Sequence, residues 1–290
     1  MEVNRLKGKN LLKPIGQIKD RIKEIETRIK LSRHRFKKFR PKVSFKIEKG
    51  DYYVTTAENP KQMEQCLRLR YRVFMNELLN KKSEEGVDID KMDLVCDHIM
   101  IMHKPTDAVV GTYRVASSIH TDKFYSQGEF NLDELLSRPG NKVELGRACI
   151  DKDHRTGSVM QLLWRGVSEY FKATSAQYLF GCTSIKTMDA LETAKISKYF
   201  QQKGWVVDKY NIEPTKKFVF KEANKLMNQD FEDLDEVKKL IPSLLVGYIR
   251  AGSKITLPPA LDKDFKCVDF LTILDLDEMS PTHVKKFKGE

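Results

Sequence analysis

The segment Val143-Glu144-Leu145-Gly146-Arg147 places a carboxylate and a guanidinium in a run that is otherwise apolar through Ala148, Cys149 and Ile150. In a central strand, burying two charges is costly unless they pair or do chemistry. A glutamate so placed is suited to general-base work, taking a proton from an attacking nucleophile. The arginine is suited to holding that glutamate or an anionic reactant. Strict alternation puts residues 144 and 147 on opposite faces. Gly146 offers a way round this, because a glycine within a strand often marks a bulge. One extra residue there brings both charges to one face and frees a backbone N–H for a developing oxyanion. The plainer alternative is a surface strand carrying a solvated pair.

Two further clusters flank this segment. Downstream, Arg155, Thr156, Gly157 and Ser158 lead into a helix, a strand–loop–helix arrangement whose first N–H groups suit a phosphate or pyrophosphate. Upstream, Asp88, Asp90 and Asp93 crowd one turn. An EF-hand calcium loop needs a glycine and a terminal glutamate that are missing at the right offsets, so these acids are either solvated or hold a substrate cation. Cys149 sits beside Arg147 and Ala148 with no sequence neighbour to activate it. Desolvation disfavours its thiolate, and it is taken as structural.

These residues need a scaffold of alternating helices and strands, an α/β pattern. The spacing predicts a helix over residues 60–80, strands over 98–103 and 109–117 joined by a turn at 104–107, and a short helix over 131–137. Next come a strand over 142–150, an amphipathic helix from about 159, and a strand over 178–183, forming a β-α-β crossover. Helices over 188–203 and 234–250, a strand around 218–220 and a last strand over 268–274 complete the pattern.

The formal charge of +11 is localised. Residues 1–49 hold 17 of the 52 lysines and arginines but only 5 of the 41 acids, which leaves the rest nearly neutral. Within that arm Leu11, Ile15, Ile18, Ile22, Ile25 and Ile29 recur at helical spacing, giving a basic amphipathic helix. Its apolar stripe packs on the protein's own body or a second copy, or lies on anionic lipid. Nucleic-acid binding ranks last, since no stacking platform accompanies the charge. The five cysteines and six histidines are dispersed, so no metal is expected. No apolar run is long enough to span a bilayer, and charges interrupt any signal-peptide core. The chain is expected in the cytoplasm, including the inner face of the cytoplasmic membrane. The domain expectation is an arm over 1–49 and one catalytic domain over 50–290.

Six motifs in order carry a resemblance: Leu69-Arg70-Tyr71-Arg72-Val73-Phe74, Asp90-x-x-Asp93, Asp97-His98, Val110-Gly111-Thr112-Tyr113-Arg114, Phe124-Tyr125-x-x-x-Glu129-Phe130, and Glu144-Leu145-Gly146-Arg147. Together with Gly247–Gly252 and Pro258–Phe265, they resemble the ornithine N-acyltransferases and their hemolysin-like relatives. These fall in the GNAT-like group related to acyl-homoserine-lactone synthases. The resemblance implies a GNAT-like acyltransferase fold with a mixed, splayed central sheet flanked by helices. It implies transfer of a (3-hydroxy)fatty acyl group from acyl carrier protein to the α-amine of an amino acid, ornithine first, giving a lyso-aminolipid. In the lactone-synthase relatives, residues matching Arg70, Phe74, Asp90, Asp93, Arg114, Glu144 and Arg147 form the core of the site. Glu144 and Arg147 would be catalytic and the other five substrate-binding. Arg155, Thr156, Gly157 and Ser158 would bind the donor, and the scarcity of glycines there favours acyl carrier protein over coenzyme A. No bound cofactor is implied. Rival readings are transfer to glycine or another amino acid, synthesis of a lactone-type signal, and a non-catalytic module binding carrier or membrane.

Overall fold

The computed structural model describes residues 39–80 and 86–279. In chain order the elements are β1 (Lys46–Lys49), β2 (Tyr52–Thr56), α1 (Pro60–Arg70), β3 (Asp97–His103), β4 (Ala108–Ser117), β5 (Phe130–Asn131), α2 (Asp133–Ser137) and β6 (Asn141–Ile150). There follow α3 (Gly157–Ala173), β7 (Ala176–Ile185), α4 (Ala190–Gln202), β8 (Glu213–Pro214), α5 (Lys221–Leu226), α6 (Ser243–Arg250), β9 (Lys254–Ile255), β10 (Ala260–Asp262) and β11 (Cys267–Asp275). The main sheet runs β1-β2-β3-β4-β6-β7-β11-β10, with β9 on β11, while β5 and β8 pair separately. Only β6 and β7 run parallel within that path, joined by the crossover helix α3; the other pairs are antiparallel. This is an α/β fold with a mixed sheet between helices.

Alternation along β3 shows how the layers form. Ile99 and Ile101 face α3, packing with Val159, Leu162, Leu163 and Val167. Met100 and Met102 face the other way, onto Met63, Leu67 and Leu69 of α1. A strand buried on both faces therefore needs the unbroken apolar run seen here. Helix α3 comes close enough that a Cβ at Gly166 would lie 2.6 Å from Val54. Helix α1 does not stop at Arg70 but widens into a π-helical stretch, Tyr71–Leu78, closed by Leu79 N–H donating to the Phe74 carbonyl at 3.2 Å. Wider turns of this kind recur at functional sites.

Three expectations change. The stripe over residues 11–29 lies outside the described residues, but the arm's boundary at 49 does not hold. Phe39 and Val43 are buried and β1 is the sheet's edge, so the body begins by residue 39. Buried Asp97 secures this stretch, accepting from Lys42 N–H at 3.0 Å, Val43 N–H at 3.2 Å and the Tyr170 hydroxyl at 3.0 Å. The predicted helix over 234–250 divides into a 3-10 turn, Asp235–Leu240, and α6, because Pro242 lacks the N–H that a continuous helix requires. Around 218–220 there is only an isolated bridge, Val219 to Ala260. Among the described residues no helix is long and apolar enough to cross a membrane.

Candidate active site

Strands β6 and β7 pair in register only as far as Glu144 opposite Phe180, and beyond that point they part. Immediately past it, Gly181 passes so close to β6 that a Cβ would lie 2.1 Å from the Leu145 carbonyl oxygen. On its other side β6 carries an irregularity. Arg114 pairs with Gly146 and Thr112 with Cys149, so three steps on β6 answer two on β4. The bulge anticipated from Gly146 is present, but the left-handed residue is Arg147 itself, at φ 51°. A non-glycine residue held there stores local strain of order 1 kcal/mol. The extra residue brings Glu144 and Arg147 into the wall of one cavity of about 430 Å³. A smaller hollow of about 30 Å³ shares Leu145, Cys182, Thr183 and Tyr248 with it.

The acidic turn is not where a substrate cation sits. Arg70 is fully buried, donating to Asp88 at 2.8 Å and to Asp93 at 2.6 Å, both buried in turn. Arg114, also buried, donates to Asp90 at 2.6 Å and lies 3.3 Å from Asp93. Arg147 completes the network through Asp88 at 3.5 Å and Asp90 at 3.4 Å. Burial alone would raise the Asp93 carboxyl, but Arg70 and then Arg114 hold it well below the usual carboxylate range. Arg70, Asp90 and Asp93 are therefore corrected from substrate contacts to an internal charge frame, and of the five predicted binding residues only Phe74 and Arg114 line the cavity. Arg147 likewise pairs with these aspartates. His98, opposite Arg114 on β3, is kept neutral by burial, its imidazole pushed down to about 3.

Glu144 has different partners from those its sequence position suggests. Its carboxylate accepts the N–H groups of Tyr125 and Ser126, each at 2.7 Å, at the start of the 3-10 turn Tyr125–Gly128. Burial raises its pKa, against the opposing pull of those N–H donors. The turn presents Tyr125, whose ring lies beneath the guanidinium of Arg114 at 5.2 Å and of Arg147 at 4.8 Å. It ends at Glu129, a carboxylate in the same wall, 3% exposed. Asp262, Cys267 and Asp269 from β10 and β11 continue that wall, with ligand atoms within 4.8 Å of one another. Asp269 accepts from the Ser184 hydroxyl at 2.5 Å, and Glu129 from the Cys182 thiol at 3.4 Å. The same cavity has an apolar lining as well, from Phe74, Leu78, Leu79, Leu240, Pro242 and Leu244.

Glu129 and Asp269 are the residues that strand logic missed, although the signal used for Glu144 was available. Asp269 interrupts the apolar run Val268–Leu274 just as Glu144 interrupts its own. The predicted donor loop lies apart. Arg155, Thr156, Gly157 and Ser158 are exposed at the N-terminus of α3 and line neither cavity. Thr156 caps α3 by accepting from Val159 N–H, and Arg155 pairs with Glu77 at 2.6 Å. Cys149 is buried against α1 with its thiol pushed well up by burial, and it too lies outside the cavity lining. Cys149→Ala should retain near-full turnover and lose about 1 kcal/mol of stability, read by steady-state rate and thermal melting. An inactive but folded variant would restore the thiol to the mechanism.

Residues 69–165 match the acetyltransferase (GNAT) domain. The chain is 27% identical over 248 residues to the L-ornithine N(alpha)-acyltransferase of Rhizobium meliloti, covering 81% of this chain and 83% of that one. It is also 27% identical to the protein of that name from Brucella abortus, covering 83% and 90%. Among solved structures, an N-acyl amino acid synthase from uncultured soil microbes aligns over 81% of this chain and 94% of that one, at 10% identity and a TM-score of 0.46. The chain thus carries a GNAT domain over residues 69–165 and is an enzyme, a GNAT-like N-acyltransferase.

Proposed function

We propose that this enzyme moves a (3-hydroxy)fatty acyl group from the phosphopantetheine thioester of acyl carrier protein to the α-amine of ornithine, giving a lyso-aminolipid. The observation that carries this reading is the end of β6–β7 pairing at Glu144, beside a cavity whose lining combines apolar side chains with the carboxylates Glu129, Glu144, Asp262 and Asp269. A fatty chain is compatible with Phe74, Leu78, Leu79 and Leu244, and a diamino acid with the acidic wall. The matched relatives are named for acyl transfer to ornithine. Acyl carrier protein is favoured over coenzyme A by the loop 155–158, which offers one glycine and an exposed surface with basic neighbours. The basic arm suits docking on such an acidic carrier, or on anionic lipid at the inner face of the cytoplasmic membrane.

Expression in a bacterium lacking aminolipids, followed by lipid mass spectrometry, tests this directly. A new acyl-ornithine is the expected product, and absence of any acylated amino acid overturns the reading. With purified protein, acyl carrier protein thioesters should outcompete acyl-coenzyme A by at least about tenfold, a difference of roughly 1.4 kcal/mol. Truncation should stop at residue 38, since Phe39 onward belongs to the folded body. The shortened enzyme is expected to keep its melting temperature and lose co-sedimentation with anionic vesicles.

A further inference from the structure

We propose that Glu129 receives the acceptor's ammonium group and takes its proton, while Glu144 acts as the positioning residue that holds the turn carrying it. This rests on the acyl-transfer reading and assigns a proton acceptor within it. The case is first geometric. Each Glu144 oxygen accepts a backbone N–H, and protonating that carboxylate would weaken the charge-assisted bonds that fix Tyr125 and Ser126. The same turn delivers Glu129 into the cavity wall. There it is pinned by its own N–H donating to the Ser126 carbonyl at 3.1 Å and by Thr215 N–H donating to its carbonyl at 2.7 Å. The backbone is fixed, and the carboxylate faces the space where the strands have opened.

Charge points the same way. The titratable groups that act most strongly on Glu129 are Asp269, Asp262, Cys182, Cys267 and Tyr125, none of them a cation, while the cations that line the same cavity are Arg114, Arg147 and Lys186. Among the described residues, no ion pair reaches Glu129, Asp262 or Asp269, although three buried carboxylates share this wall. Such a group either shares protons or receives a cation from outside. Burial first, and Asp269 second, push the Glu129 carboxyl up towards the range of an amine, which narrows the gap a proton must cross. Tyr125 links the two halves of the site, since it acts on the Glu129 carboxyl while its ring lies under Arg114 and Arg147. Arg114 Nη2 is buried with no partner among the described residues, a free donor on the side where an amino acid's carboxylate would lie.

The step balances without a further reactant. The ammonium gives one proton to Glu129, and the freed nitrogen pair forms the C–N bond at the thioester carbonyl. The C–S bond then breaks and the leaving thiolate takes the second amine proton. Glu129 returns its proton to solvent.

The test compares wild type, Glu129→Gln and Glu144→Gln between pH 6.5 and 9.5, using L-ornithine and a 3-hydroxyacyl thioester of acyl carrier protein. Glu129→Gln is expected to lose about 10²-fold in kcat/KM at pH 7. The deficit should shrink below about tenfold at pH 9.5, where free amine is already abundant. Its melting temperature should hold, since a like charge has been removed. Glu144→Gln should lose activity by a factor independent of pH and melt lower. Asp269→Asn provides a second handle. With one negative neighbour gone, Glu129 ionises more easily, and the rising limb of the rate profile should move to lower pH. A Glu129→Gln enzyme with wild-type rates, or with a deficit constant across pH, overturns the proposal, as does an unmoved limb in Asp269→Asn. A wild type that acylates no amine overturns the acyl-transfer reading along with it.

Discussion

Arg70→Met is expected to lower unfolding free energy by about 3–5 kcal/mol, the cost of removing one partner from a buried ion pair and leaving the other uncompensated. Methionine fills much of the same volume, so the loss isolates charge from packing. Asp88 and Asp93 would then face a buried environment with only Arg114 and Arg147 nearby, and Arg114 already serves Asp90. For a body of this size the midpoint of thermal unfolding should fall by roughly 10 °C. The pH dependence follows from the depressed Asp93 carboxyl. A group whose folded pKa lies below its unfolded value stabilises fully above the unfolded value, about 4, and less as pH falls further. Wild type should therefore lose stability below about pH 4, and Arg70→Met should lose less over that window. An Arg70→Met protein that melts within 2 °C of wild type would show that the frame contributes only geometry.

The second large effect is expected at Gly181→Ala. The new Cβ would meet the Leu145 carbonyl at 2.1 Å, and neither partner is a side chain that can swing away. The two strands must be pushed apart at Leu145, directly beside their last paired residues, at a cost of about 3 kcal/mol. Leu145 lies between Glu144 and the bulge, so the same displacement moves the turn at Tyr125 and the guanidinium of Arg147. A misplacement near 1 Å in such a site costs on the order of 10²-fold in turnover. Gly247→Ala is the matched control. It lies in α6 with nothing within 4 Å of the new methyl, and should gain up to about 1 kcal/mol by removing backbone freedom in a helix. Calorimetry together with acyl-transfer rates distinguishes the two. Equal melting temperatures for both alanines would show that the strands open without strain.

Local periodicity determined most of the scaffold. The apolar runs of β3, β4, β6, β7 and β11, the face of α3 and the crossover between β6 and β7 follow from period-2 and period-3.6 patterns in contiguous residues. The bulge was legible too, because a glycine between two charges in an apolar strand is a natural seat for an irregularity in the ladder. Pairing across the chain was not legible. The pattern marks Asp88, Asp90 and Asp93 as carboxylates seeking a cation, but Arg70 and Arg114 supply it from other segments, and only three-dimensional proximity reveals this.

Glu144 shows the same division. Its sequence marks it as a charge that must be satisfied within a buried strand, and so it is. Which donors satisfy it depends on where the turn at Tyr125 folds, 19 residues away along the chain. Glu129 and Asp269 lie 140 residues apart in sequence and meet only because β11 pairs with β7, on the far side of the opening from β6. A carboxylate's chemistry is set by the charges within a few ångströms of it, and tertiary structure alone decides which those are.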